Sequence, residues 1–145
     1  SLYDSSLRIA GRLARRLPLT LRVTPGITAI QALCAAHAIP LNGLGAPVTI
    51  TTGRALRETG WPPGSDTAVV MLDAGGAFGT LDPTGISIWW GAYVGMAEEI
   101  LIAGDLSEVS QQILDTRARA RAAHGWIMDI YLMRRSPAQL LGQAQ

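Results

Sequence analysis

Val23-Thr24-Pro25-Gly26-Ile27-Thr28-Ala29-Ile30 sets a strand end, a Pro-Gly turn and a helix start in direct succession. That order aims the first N–H groups of the helix and the Thr28 hydroxyl at the carboxyl end of a strand, where α/β proteins bind small ligands. A plain helix cap at Thr28 fits the same eight residues. Just upstream, Leu19, Leu21 and Val23 alternate with Thr20, Arg22 and Thr24, which predicts a strand over 19–24. Before it, Leu7, Ala10, Leu13, Ala14 and Leu17 share one face at helical spacing and Pro18 ends the segment, so an amphipathic helix is expected over 5–17. Downstream, Ile27, Ile30, Cys34 and Ala38 mark a second helix over 27–38. Helix, strand, tight turn and helix is the order of an α/β fold.

Beyond Ala38 the composition changes, because eleven of the sixteen glycines fall between Gly43 and Gly95. They separate short β-rich runs at 47–52, 67–72 and 86–93, and 99–103 adds a fourth. Asp105 then stands as a helix N-cap with Glu108 placed for a capping box. The helix is expected to run to about Ala123, with Leu106, Val109 and Ile113 as its buried stripe, an Asp115–Arg119 pair and Gly125 as its terminator. A last strand follows over 126–134, then a Pro, Gln and Ala-rich tail over 136–145. This gives two units, 1–38 and 39–135, and the tail.

At 145 residues and 48% hydrophobic the chain can bury a real core, which excludes disorder. Mean hydropathy is +0.24, yet no apolar run approaches the roughly 18 residues of a membrane span. All twelve cations are arginine, but eleven acids leave a net charge of only +1, which speaks against nucleic-acid binding. Cys34 is the single cysteine, so no internal disulfide forms and a cytoplasmic protein is the default.

Familiar catalytic chemistry is mostly missing. His37 and His124 lie far apart with no Cys or carboxylate at ligand spacing, so no metal site is expected. Gly75, Gly76 and Gly79 lack the spacing of a phosphate loop, and Cys34 on an apolar helix face reads as packing. Trp89, Trp90 and Tyr93 offer flat surface, but strand alternation puts Trp90 on one face and Trp89 with Tyr93 on the other. At least one Trp is then a core residue.

The stretches PGITA (25–29), VVMLD (69–73) and EEILIAG (98–104), in this order after SLYDS (1–5), resemble the tetrapyrrole methylases. The resemblance runs from Ser1 to about Arg135. ITTGR (50–54), IWWGAY (88–93) and HGWIMD (124–129) are similar to the branch of that family acting on precorrin-5. What the resemblance implies is the end of a parallel-sheet N-terminal domain followed by a mixed-sheet α/β C-terminal domain, with S-adenosylmethionine (SAM) in the cleft between them. It also implies methylation at carbon 1 of precorrin-5 with loss of the acetyl group as acetate. In such enzymes Ser1 directly follows a Gly-Asp-Pro sequence, so half of the first domain is expected before it and the 145 residues alone are expected to be inactive.

Carried over by position, Leu2, Thr28, Ala29, Gly95 and either Met71 or Leu72 are the expected cofactor contacts. A sulfonium methyl is already activated, so alignment matters more than acid–base groups, and no catalytic residue is assigned. A precorrin carries many carboxylates, which suits the planar forks of Arg54 and Arg57, with Tyr93 as an apolar contact; a solvated surface pair is the other reading of the arginines. Such methylases commonly pair as homodimers. Two rival readings are another member of the superfamily and a non-catalytic domain that binds ligand or dimerises.

Overall fold

Short runs of valine, isoleucine and threonine cut by glycine become strands because branched side chains suit a pleated, half-buried surface. The structure, a computed structural model describing residues 5–136, has five strands: β1 (Val48–Thr52), β2 (Thr67–Met71), β3 (Ile86–Ala92), β4 (Ile100–Asp105) and β5 (Asp129–Arg135). They form one mixed sheet in the order β1-β2-β5-β3-β4, in which β1 and β2 are parallel and the other neighbours antiparallel. The helices are α1 (Ser6–Ala14), α2 (Ala29–Ala36), α3 (Gly53–Thr59) and α4 (Leu106–His124), with a 3₁₀ turn at Ala77–Thr80. None of these helices is long and apolar enough to cross a membrane.

Alternation along the strands builds two apolar layers. Val70, Trp90 and Tyr131 face α3, the 3₁₀ turn and α4, where they meet Leu56, Phe78 and Ile113. Val69, Ile130 and Leu132 face the other way and pack on Ile30 and Leu33 of α2. Gly91 permits the close approach of α2: a Cβ there would lie 2.9 Å from Leu33 Cδ1, and 2.6 Å from Val94 Cγ2 in the following turn. Phe78 meets Tyr131 edge-on, with ring centroids 5.3 Å apart.

Several expectations are corrected. Residues 19–24 take no regular secondary structure and pair with no strand among the described residues, because period-2 patterning defines two faces and does not supply a neighbour. Leu19, Leu21 and Val23 are consequently exposed. The first helix forms inside its expected span, yet none of its residues is buried. The second starts at Ala29, since Thr28 and Gln31 make a reciprocal capping box, and it stops before Ala38, which turns to φ 53°. Helix α3, absent from the sequence reading, is started by Thr52, whose hydroxyl accepts from Ala55 N at 3.3 Å.

In α4, Asp105 is the N-cap but its side chain makes no cap bond, so the box with Glu108 does not form. Gly125 ends the helix at φ 73°, as expected. Leu106 and Ile113 are buried together with Arg117 and Ala120, while Val109 is only partly covered. Asp115 accepts from Gln111, and Arg119 donates to Thr116, in place of the expected Asp115–Arg119 pair. Strand β5 begins at Asp129 because the carbonyls before it are taken by Tyr93, whose hydroxyl donates to Trp126 O at 2.6 Å and whose N–H donates to Met128 O at 2.9 Å.

Tyr93 itself departs from the expected face. It follows the end of β3 at φ 52°, and that left-handed step breaks the alternation and drops its ring into the layer holding Trp90. Leu2 and nearly all of the tail (137–145) lie outside the described residues.

Candidate functional site at one end of the sheet

Strand direction gathers the candidates. Parallel β1 and β2 end at Thr52 and Met71, whereas antiparallel β5 begins at Asp129, opposite Ala92 at the end of β3, which in turn faces Ile100 at the start of β4. Met71, Leu72, Gly95, Arg54 and Arg57 therefore share one end of the sheet. Helix α2 sets Leu33 beside Gly91 and His37 Nε2 3.0 Å from Trp90 O. Its N-terminus, with Thr28 and Ala29, points toward that same end on the opposite face from α4.

At this end lies a groove of about 500 Å³ lined by Leu72, Arg117, Arg121, Trp126, Met128 and Asp129, among others. Leu72 is 81% exposed and holds φ 52°, a backbone state that costs a leucine about 1–2 kcal/mol and concentrates at functional sites. Met71, one residue earlier, packs instead against the α2 layer. Of the two residues left open by the sequence, Leu72 is the one that reaches the groove. Trp126 stands edge-on to Tyr93, centroids 5.1 Å apart, and Trp126 and Met128 are both exposed.

Beneath the groove a polar network is buried. The Asp73 carboxylate accepts from Arg57 Nη2 at 2.6 Å, Gly75 N at 3.1 Å, Ala77 N at 2.5 Å and the Tyr131 hydroxyl at 2.7 Å. Burial pushes its carboxyl up, but the bonds from Ala77, Tyr131 and Gly75 and the Arg57 charge together hold it below the ordinary value. Burial, reinforced by Asp73, drives the Tyr131 phenol far upward, so it stays protonated and donates. Gly53 is required here, since a Cβ would sit 2.3 Å from Asp73 Oδ1. Arg117 pairs with Asp129 at 2.8 Å. Burial opposes its charge, yet the bond to Asp129 and the Asp129 and Asp73 charges raise its pKa on balance.

The remaining candidates divide. Arg57 is anchored on Asp73, with its side chain 35% exposed, and Arg54 is exposed in the first turn of α3. Thr28 is a working cap: its hydroxyl accepts from Gln31 N at 3.3 Å. Gly95, at φ 80°, donates its N–H to Glu99 Oε2 at 2.7 Å on an exposed connection. Tyr93 is 1% exposed with its hydroxyl committed, which is the geometry of a core residue and not of a ligand contact. Trp90 is likewise core, its indole N–H donating to Asp129 Oδ2 at 3.0 Å, while Trp89 lies under Arg134 at 5.2 Å. The sequence reading missed Asp73, Arg117 and Asp129. The signal for Arg117 was available: it occupies the position four after Ile113 on the buried stripe of α4.

Residues 1–110 match the family of Tetrapyrrole (Corrin/Porphyrin) Methylases. The chain belongs to the tetrapyrrole methylases. Over 136 residues it is 53% identical to a precorrin-6A synthase [deacetylating] of Sinorhizobium sp, a match covering 92% of this chain and 52% of that protein. The chain thus spans about half the length of the relative it matches. Among solved structures, a cobalamin synthesis related protein (CobF) from Corynebacterium diphtheriae superposes with TM-score 0.84 at 39% identity, over 92% of this chain and 57% of that one. The uroporphyrin-III-C-methyltransferase of Thermus thermophilus, at 21% identity and TM-score 0.61 over 97% and 59% of the two chains, shares the methylase fold.

Proposed function

We propose that this tetrapyrrole methylase is a SAM-dependent C-methyltransferase of cobalamin biosynthesis, methylating precorrin-5 at carbon 1 with deacetylation to precorrin-6A. The observation that carries this is the 53% identity over 136 residues to a precorrin-6A synthase. SAM fits the residues present: the groove is of ligand size, and Leu72, Trp126 and Met128 expose apolar surface there that the fold itself leaves uncovered. When bound, SAM supplies a methyl group already activated on a sulfonium.

Leu72 offers the cofactor an apolar contact from the end of β2, with Met71 supporting it from behind. Thr28 and Ala29 approach from the start of α2, Gly95 from the β3–β4 connection, and Leu2 from the chain before α1. Arg54 and the outer N–H groups of Arg57 take carboxylates of the tetrapyrrole, since guanidinium forks match carboxylate geometry. Tyr93 is left out of the site. Residues 1–38 belong to a first domain and 39–135 to a second in this reading, and the protein is cytoplasmic, where the free thiol of Cys34 stays reduced. A homodimer is part of the proposal, as the resemblance to the tetrapyrrole methylases implies.

The test is to incubate the protein, as its source makes it, with SAM and precorrin-5 and follow the product by mass spectrometry. One methyl gained and the acetyl group lost is the expected result. A methylated product that keeps its acetyl group would assign the chain to a different branch of the family, and no product at all would favour a ligand-binding role.

A further inference from the structure

Arg117 is a charged residue at a core position of α4, and the reason lies in what its guanidinium joins. Nε donates to Asp129 Oδ2 at 2.8 Å, Nη1 donates to the Ala74 carbonyl at 3.1 Å, and Nη2 donates to the Asp73 carbonyl. One planar group therefore ties the turn after β2 to the first residue of β5, two segments that wall the same groove. The same Asp129 Oδ2 also accepts from the Trp90 indole N–H at 3.0 Å. The turn is held a second time through the Asp73 carboxylate, which accepts from the Gly75 and Ala77 amides. Leu72 stands directly before the clamped carbonyls at φ 52°, a conformation that a leucine keeps only where its surroundings impose it.

Stability alone does not account for the arginine. Replacing both members of a buried ion pair by apolar residues is often neutral or stabilising, so the pairing of Arg117 with Asp129 is by itself weak evidence of a stabilising role. A fork that reaches two carbonyls and a carboxylate at once is a geometric device. We propose that Arg117 is a positioning residue, holding Leu72 and the 73–74 turn in the shape that the groove presents to its ligand. The ligand part of this inference rests on the cofactor reading given above.

The experiment compares Arg117→Lys, Arg117→Leu and Ile113→Val with wild type in the whole protein. It reads amide hydrogen exchange at 73–77 and the dissociation constant for SAM by calorimetry. Lysine keeps the charge beside Asp129 but cannot reach both carbonyls, and leucine removes the fork and leaves the Asp129 carboxylate without its cation. Both Arg117 variants are expected to exchange at 73–77 at least about tenfold faster and to bind SAM at least about tenfold more weakly. Ile113→Val, a core change on the same helix, is expected to lower the unfolding midpoint and move neither readout, which separates local positioning from general loosening. Unchanged exchange at 73–77 in both Arg117 variants overturns the clamp. Faster exchange with SAM affinity within about twofold of wild type overturns the positioning role. If wild type binds no SAM, the cofactor reading falls instead, and the exchange data decide the clamp without it.

Discussion

Replacing Leu72 with glycine separates what the fold requires from what a ligand requires. Leu72 holds φ 52°, which costs a leucine about 1–2 kcal/mol relative to an ordinary backbone state. Glycine escapes that cost but loses about 0.5–1 kcal/mol more conformational entropy on folding. The difference favours the glycine variant by about 0.7 kcal/mol. Against this, the leucine side chain is 81% exposed, so only about a fifth of the 1.5–3 kcal/mol of a fully buried leucine is forfeited, about 0.4 kcal/mol. Leu72→Gly should therefore leave folding stability within about 0.5 kcal/mol of wild type in urea titrations. Binding tells a different story. If SAM covers the exposed four-fifths of the side chain, its loss removes about 1.8 kcal/mol, or about 20-fold in the dissociation constant by calorimetry. Leu72→Ala, which keeps the strained backbone, should lose similar affinity and be less stable than the glycine variant by about 0.7 kcal/mol. A glycine variant that binds SAM as tightly as wild type would refute the placement of Leu72 against the cofactor. One destabilised by more than about 1.5 kcal/mol would refute the backbone argument.

Gly53→Ala places a Cβ 2.3 Å from Asp73 Oδ1 and 2.6 Å from Asp73 Cβ, so the network must shift, and a loss of about 3 kcal/mol is expected in urea unfolding; a loss below about 1 kcal/mol would contradict the packing. Because the folded Asp73 carboxyl is held below its ordinary value, its contribution is fully present above the unfolded value near pH 4 and is lost as pH falls through the folded one. Asp73→Asn should flatten that acid limb of the stability profile, and an unaltered slope would sink the assignment. Thr28→Val should cost about 1 kcal/mol of stability by removing the cap seen at Gln31 N, and about 1–2 kcal/mol of SAM affinity if the hydroxyl also serves the cofactor. Thr28→Ser should restore both, and an unshifted melting midpoint in the valine variant would deny the cap. Arg54→Ala should raise KM for the precorrin without changing SAM affinity, and equal kinetics would return Arg54 to the plain surface.

By itself the sequence determined the strands after residue 46, the length of α4 and its glycine stop, and the family. Glycine spacing, branched runs and the motifs at 25–29, 50–54 and 124–129 are local or linear signals, and they survive folding unchanged. The pattern at 19–24 shows where that kind of signal ends, because alternation describes a strand's two faces and cannot provide the neighbour that a ladder needs. The site was legible as a set of positions and not as a place. Only the mixed sheet order brings Leu72, Arg54, Arg57 and Gly95 to one end, and only the folded backbone sets Leu72 in the groove while Met71 packs toward α2. Tyr93 left its expected face through one left-handed residue, a change in direction that no count of alternate residues records. Arg117 and Asp73 lie 44 positions apart in the chain, and their bond exists because the packing of α4 on the sheet brings its side chain to the turn after β2. Long-range polar geometry of this kind depends on which buried groups the tertiary packing leaves in need of partners, and tertiary structure alone decides that.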